Sequence, residues 1–214
     1  MESDFRGTGV KTHHKRSSPF WLVLTLLLSA TPSAHAHLLN TGFGPFYDGL
    51  THLFVTPEDL LPVIALALMG GLRGPRFGRA VLFTLPAAYL ASSTAGLLIS
   101  PHIALNVPEI IVTIGVGALL AADRQLPLGF VVGLAILLGL IHGILNSSDL
   151  AKSGSYGETT ATGVAVALFV SVSILAGQAA SVRVLWLRVA ARVAGSWIAA
   201  IGLLMLGWAV RAPA

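Results

Sequence analysis

Four side chains able to ligate a divalent cation, His52, Asp59, Glu109 and His142, interrupt apolar sequence at positions where an ionisable group is costly. Of 214 residues, 55% are hydrophobic and 10% are charged, and there is no cysteine. A metal must therefore be held by imidazole, carboxylate, amide or backbone oxygen, which excludes the softest ligand sets. Three segments share one grammar: Thr56-Pro57-Glu58-Asp59, Asn106-Val107-Pro108-Glu109 and Ser155-Tyr156-Gly157-Glu158. In each, a capping residue is followed three positions later by an acid. One reading is a capping box, with the cap oxygen accepting from the N3 amide and the acid bonding back. The other is a carboxylate cluster, because positive helix ends favour ionised acids and three helices starting at one depth bring them to one layer. The two readings are geometrically compatible. His142 sits near the end of its own apolar run, just before Asn146 and Asp149, and so shares that layer. His52 precedes Asp59 by seven residues. The two share a helical face only if a helix runs back through Pro57; otherwise His52 belongs to a re-entrant or surface segment.

The elements that must position these residues are apolar stretches at Pro57–Leu72, Ala80–Ser100, Val107–Ala122, Leu128–Leu145, Thr159–Ala180 and Ala190–Val210. None alternates as a barrel strand would. The expected fold is an all-α, polytopic membrane helix bundle of about six transmembrane helices. Ahead of it, Lys11, Lys15 and Arg16 precede the short apolar run Phe20–Ala30, followed by Thr31, Pro32 and the small-x-small sequence Ala34-His35-Ala36. This is the pattern of a cleavable signal peptide over 1–36, with His37 as the mature N-terminus and 37–214 as the transmembrane domain. Cleavage puts that terminus in the periplasm and the protein in the inner membrane. The segments 73–79, 123–127 and 181–192 then face the cytoplasm, and they carry Arg73, Arg76, Arg79, Arg124, Arg183, Arg188 and Arg192. The outward segments carry Lys152 and Arg211, so the positive-inside asymmetry agrees. The basic residues are scattered singly, which argues against nucleic acid and leaves the lipid bilayer as partner. Gly70, Gly71, Gly133, Gly139, Gly163 and Gly177 are read as close helix contacts, and Trp186, Trp197 and Trp208 as packing or interfacial anchors.

With these residues in view, the chain resembles the HupE/UreJ family of membrane proteins associated with nickel or cobalt uptake. The similarity runs from about Gly49 to Ala122 and again over Gly139–Gly143. Gly49-Leu50-Thr51-His52 followed by Pro57-Glu58-Asp59-Leu60-Leu61 is similar to the family's Gly-x-x-His and Gly-x-Asp-His-Leu-Leu. Phe83-Thr84-Leu85-Pro86-Ala87-Ala88 is similar to Phe-Thr-x-x-His-Ser, Glu109 to a glutamate near the outer end of the third helix, and Gly139–Gly143 to Gly-Leu-x-His-Gly. Two family histidines are replaced, by Leu60 and Ala87, which weakens nickel specifically, since nickel favours nitrogen-rich sites. The resemblance implies a permease for a divalent transition-metal cation such as Ni or Co. The metal is the cargo, with His52, Asp59, Glu109 and His142 as its outward-facing ligands, and no catalytic or organic-cofactor residue is assigned. Two other readings stay open: an intramembrane metal-dependent hydrolase using the same four residues, and a non-transporting accessory subunit in which they only cap and join helices.

Overall fold

The computed structural model describes residues 41–99, 106–152, 156–181 and 185–211. These form seven α-helices and, among the described residues, no strand. They are α1 (Pro45–Val55), α2 (Pro57–Leu72), α3 (Pro75–Ile99), α4 (Asn106–Ala122), α5 (Leu128–Lys152), α6 (Gly157–Ser181) and α7 (Leu185–Arg211). The expected signal peptide, its Ala34-His35-Ala36 site and His37 lie outside the described residues.

Local sequence explains most of the boundaries. Pro45, Pro57 and Pro75 each open a helix, where the missing N–H costs no intrahelical bond. Gly74, at φ 109°, ends the α2–α3 turn in a conformation that a β-carbon disfavours, and its amide closes on the Gly71 carbonyl at 2.9 Å. Helices continue past the apolar runs, so the expected boundaries at Ala80, Leu145 and Ala190 fall inside α3, α5 and α7. Arg76, Arg79, Arg188 and Arg192 are accordingly helical rather than in loops. Helix propensity carries through a polar end turn; hydropathy does not mark it.

The helix α1 is the element that apolar periodicity did not reveal. It is joined to α2 with a bend of 75° at Thr56. A residue before proline is barred from the helical region, and Thr56 is extended at φ −107° and ψ 92°. Its hydroxyl donates to the His52 carbonyl at 2.9 Å, not to the start of α2. The expected capping box at Thr56-Pro57-Glu58-Asp59 therefore does not form from the Thr56 side, and α2 has no side-chain cap.

The helix α2 lies at the centre, in contact with all six other helices. Val63, Ala65, Leu66 and Ala67 are fully buried along it. Around it, α3 packs on α5, α4 on α7, and α1 on α6. Ser92 clasps the first pair by donating to the Gly139 carbonyl at 3.1 Å. Phe83, Ile111, Phe130, Phe169, Ile174 and Trp197 face outward. An apolar exterior of this extent needs lipid against it, and the protein is a membrane protein.

On length and hydropathy, α3, α5, α6 and α7 can each cross a bilayer, and the bent pair α1–α2 raises the number to as many as five. The apolar part of α4, Val107–Ala122, is shorter. Four to five crossings are supported in this way rather than the six expected. The glycine reading divides. A β-carbon at Gly139 would meet the Leu85 carbonyl at 2.7 Å, and one at Gly71 the Ala176 carbonyl at 2.5 Å, whereas Gly133 and Gly177 have nothing within 4 Å and need no close neighbour.

Candidate metal site

The Asp59 carboxylate is the hub around which the polar residues gather. It lies in the first turn of α2 and is only 3% exposed. Such burial within a membrane bundle costs about 2.5–3.5 kcal/mol on an insertion scale and has to be offset by partners. Three helices supply them. His142 of α5 brings Nδ1 to 3.1 Å from Asp59 Oδ1. Asn146, one turn further along α5, donates from Nδ2 to Asp59 Oδ2 at 3.2 Å. His52, at the end of α1, places Nε2 at 3.5 Å from the same Oδ2.

The bend at Thr56 makes the last of these contacts possible. Seven residues of straight helix would separate His52 and Asp59 by roughly 10 Å along the axis. Folding α1 back at 75° removes that distance. The question left open by spacing alone is thus answered by a broken helix, not a continuous one.

Glu109, in the first turn of α4, completes the group: its Oε1 lies 3.5 Å from His142 Nε2. Its side chain is 12% exposed, against 5% for those of Asp59 and His142, so Glu109 stands on the outer side of the group. Asp59, Glu109 and His142 each offer one ligand atom, and these atoms all lie within 4.8 Å of one another. Ligands about 2.1 Å from one tetrahedral cation are about 3.4 Å apart, close to the 3.5 Å between His142 Nε2 and Glu109 Oε1. Satisfying Asp59 puts the His142 proton on Nδ1. The buried Nε2, which makes no hydrogen bond among the described residues, then turns its lone pair toward Glu109.

Packing of α3 on α5 fixes where His142 points. A β-carbon at Gly143 would come within 2.5 Å of the Tyr89 carbonyl and 2.9 Å of the Ser93 amide. Only glycine lets the two backbones approach this closely. Tyr89 itself is 1% exposed, with its hydroxyl beside the Asn146 amide and within electrostatic reach of Asp59. Tyr89 was not foreseen, and the role of Asn146 was no more than its proximity to His142. A tyrosine in an apolar helix looks like core, and a signal for either lay only in its depth relative to the acids. Pro62 also withdraws the N–H that would bond the carbonyl of Glu58, the residue before Asp59.

The third acid of the repeated grammar does not join. Glu158 is exposed at the start of α6 and is absent from the ligand group, so two of the three expected carboxylates converge. Asp48, also near α1, is occupied locally, accepting from the Thr41 amide and hydroxyl at 2.6 Å each.

Comparison with known proteins agrees with this picture. The family model described as HupE / UreJ protein matches residues 24–205, most of the chain. No curated protein and no solved structure matches. That family is associated with nickel and cobalt uptake or with accessory roles, and a buried His/Asp/Glu group within an apolar bundle is in keeping with it. On a match that spans nearly the whole helical region, the chain belongs to the HupE/UreJ family.

Proposed function

We propose that this chain is a permease for a divalent transition cation of the nickel or cobalt type, captured at the outer face by His52, Asp59, Glu109 and His142. The observation that carries the reading is the convergence of Asp59, Glu109 and His142 from three helices within 4.8 Å inside an otherwise apolar bundle. Two imidazoles and two carboxylates form a mixed nitrogen and oxygen set that suits borderline divalent ions. Glu109, the more exposed member, meets the hydrated ion first; Asp59 and His142 replace further water as it moves inward. Below Glu109, the buried Thr113 hydroxyl lies one turn along α4.

The same proposal includes a cleaved signal peptide over 1–36 and six crossings in the inner membrane, with the mature N-terminus periplasmic. Both α2 and the apolar part of α4 are short for a hydrocarbon core of about 30 Å. A buried helix such as α2 need not meet lipid along its length, which makes a short crossing tolerable.

The test is Co²⁺ and Ni²⁺ uptake by cells carrying Asp59→Asn, Glu109→Gln or His142→Ala, with membrane insertion checked for each. The amide substitutions keep shape and capping capacity while removing charge. Loss of uptake in inserted protein is expected for all three. Wild-type uptake in all three would retire the permease and favour an accessory subunit.

A further inference from the structure

At the end of the bundle remote from the metal site lies a second polar feature, built on the same two helices. Arg73 follows α2 and Asp123 follows α4, each roughly 21 Å along its helix from Asp59 and Glu109 at about 1.5 Å per residue. With Arg124, and Arg188 from the first turns of α7, they line a cavity of about 440 Å³ whose walls also include Leu72 and Phe77.

The charge in this cavity is unbalanced. Asp123 pairs with Arg188 at 3.3 Å, but that pair is half-exposed, with side-chain exposures of 32% and 52%, and worth little. Asp123 is also held at φ 48°, a left-handed conformation uncommon outside glycine. Arg124 has no carboxylate partner among the described residues. Arg73 spends one nitrogen on the Met69 carbonyl at 3.0 Å, while its buried Nε makes no hydrogen bond among the described residues. Arg73 is also within electrostatic reach of both Asp123 and Arg188, so the guanidinium groups share one field. Three guanidiniums against one carboxylate leave an excess of two positive charges around a mainly polar cavity with Leu72, Phe77 and Leu126 on its apolar side.

We propose that this cavity binds the phosphate of an anionic phospholipid headgroup. Guanidinium forks match phosphate oxygens in pairs, and a phosphate in this cavity lies among the guanidinium groups of Arg73, Arg124 and Arg188. Basic cavities between membrane helices at the cytoplasmic side are suited to such headgroups, and Leu72 and Phe77 give the glycerol and upper acyl carbons an apolar wall. The occupant would bridge the α2–α3 turn, the α4–α5 turn and α7, steadying the far ends of the two helices that present Asp59 and Glu109. Only the choice of leaflet rests on the orientation proposed above; the chemistry of the cavity does not.

The experiment uses the full-length mature protein in neutral detergent, titrated with phosphatidylglycerol or phosphatidylcholine and read by native mass spectrometry and by thermal unfolding. Phosphatidylglycerol is expected to bind at least tenfold more tightly and to raise the unfolding temperature. Arg124→Gln and Arg73→Gln should each remove most of that preference while Co²⁺ binding at the Asp59 site persists. Arg124→Gln breaks no hydrogen bond or ion pair among the described residues, so it tests the cavity even if Arg73→Gln impairs folding. Equal binding of the two lipids, or a preference unchanged in Arg124→Gln, would overturn the proposal. So would saturation by inorganic phosphate with no gain from the lipid, which would assign the cavity to a soluble anion. Because Co²⁺ binding is read separately, failure of the metal site and failure of the lipid site are distinguishable.

Discussion

Replacing Asn146 with leucine tests whether Asp59 is held in place or merely present. Leucine has the same number and branching of side-chain heavy atoms as asparagine, is somewhat larger and suits a membrane helix, but it cannot donate to Asp59 Oδ2. A hydrogen bond to an ionised acceptor contributes about 1.5–3 kcal/mol. The Asn146 bond is long at 3.2 Å, and Asp59 would keep His142 at 3.1 Å and His52 at 3.5 Å. The lower part of the range therefore applies, about 1.5–2 kcal/mol, or roughly ten- to thirtyfold in cation affinity. Loss of a residue that orients a metal ligand costs about 10- to 100-fold by independent experience, and the two figures overlap. The assay is calorimetric titration of Co²⁺ into purified protein, with the visible spectrum of bound Co²⁺ recorded alongside. Asn146→Leu should bind ten- to thirtyfold more weakly, with an altered spectrum and an unchanged fold, whereas Asp59→Asn should abolish binding. Wild-type affinity and spectrum in Asn146→Leu, with binding still lost in Asp59→Asn, would refute the positioning role. Wild-type affinity in both would refute the ligand set itself.

Three further outcomes are expected. Gly143→Ala should destabilise the bundle by about 1–3 kcal/mol, because the new carbon meets the Tyr89 carbonyl at 2.5 Å, while Gly133→Ala, with nothing within 4 Å, should be neutral or gain about 0.5–1 kcal/mol; thermal unfolding in detergent separates them. Cysteines placed at Arg76, Arg188 and Lys152 in this cysteine-free chain should be labelled by an impermeant thiol reagent from outside only at position 152, and labelling at 76 but not 152 would reverse the orientation. N-terminal sequencing of the membrane-extracted protein should begin at His37; recovery of Met1 would mean the signal is retained.

The sequence by itself determined the solvent and the helical character of this protein, together with the residues worth watching. Long apolar runs without alternation leave no other way to satisfy the backbone in a bilayer. Ionisable groups are so costly there that Asp59, Glu109 and His142 could be picked out by type and depth alone. Depth is a one-dimensional quantity, readable along a chain. Azimuth, the direction in which a side chain points from its helix, depends on which helices become neighbours. Glu109 and Glu158 share the same local grammar, yet one turns to His142 and the other lies exposed, a difference their own segments do not encode. His52 could not be placed because a proline marks where a helix breaks but not the angle of the break; the 75° bend is set by α1 packing on α6. Tyr89 enters the site through the close approach of α3 and α5 across Gly139 and Gly143, a contact between segments some 50 residues apart, and Asn146 through its bond to Asp59 of α2, 87 residues away. The charged cavity at the far end has the same origin: Arg73, Arg124 and Arg188 look like three separate positive-inside residues until packing of α2, α4 and α7 gathers them around one space.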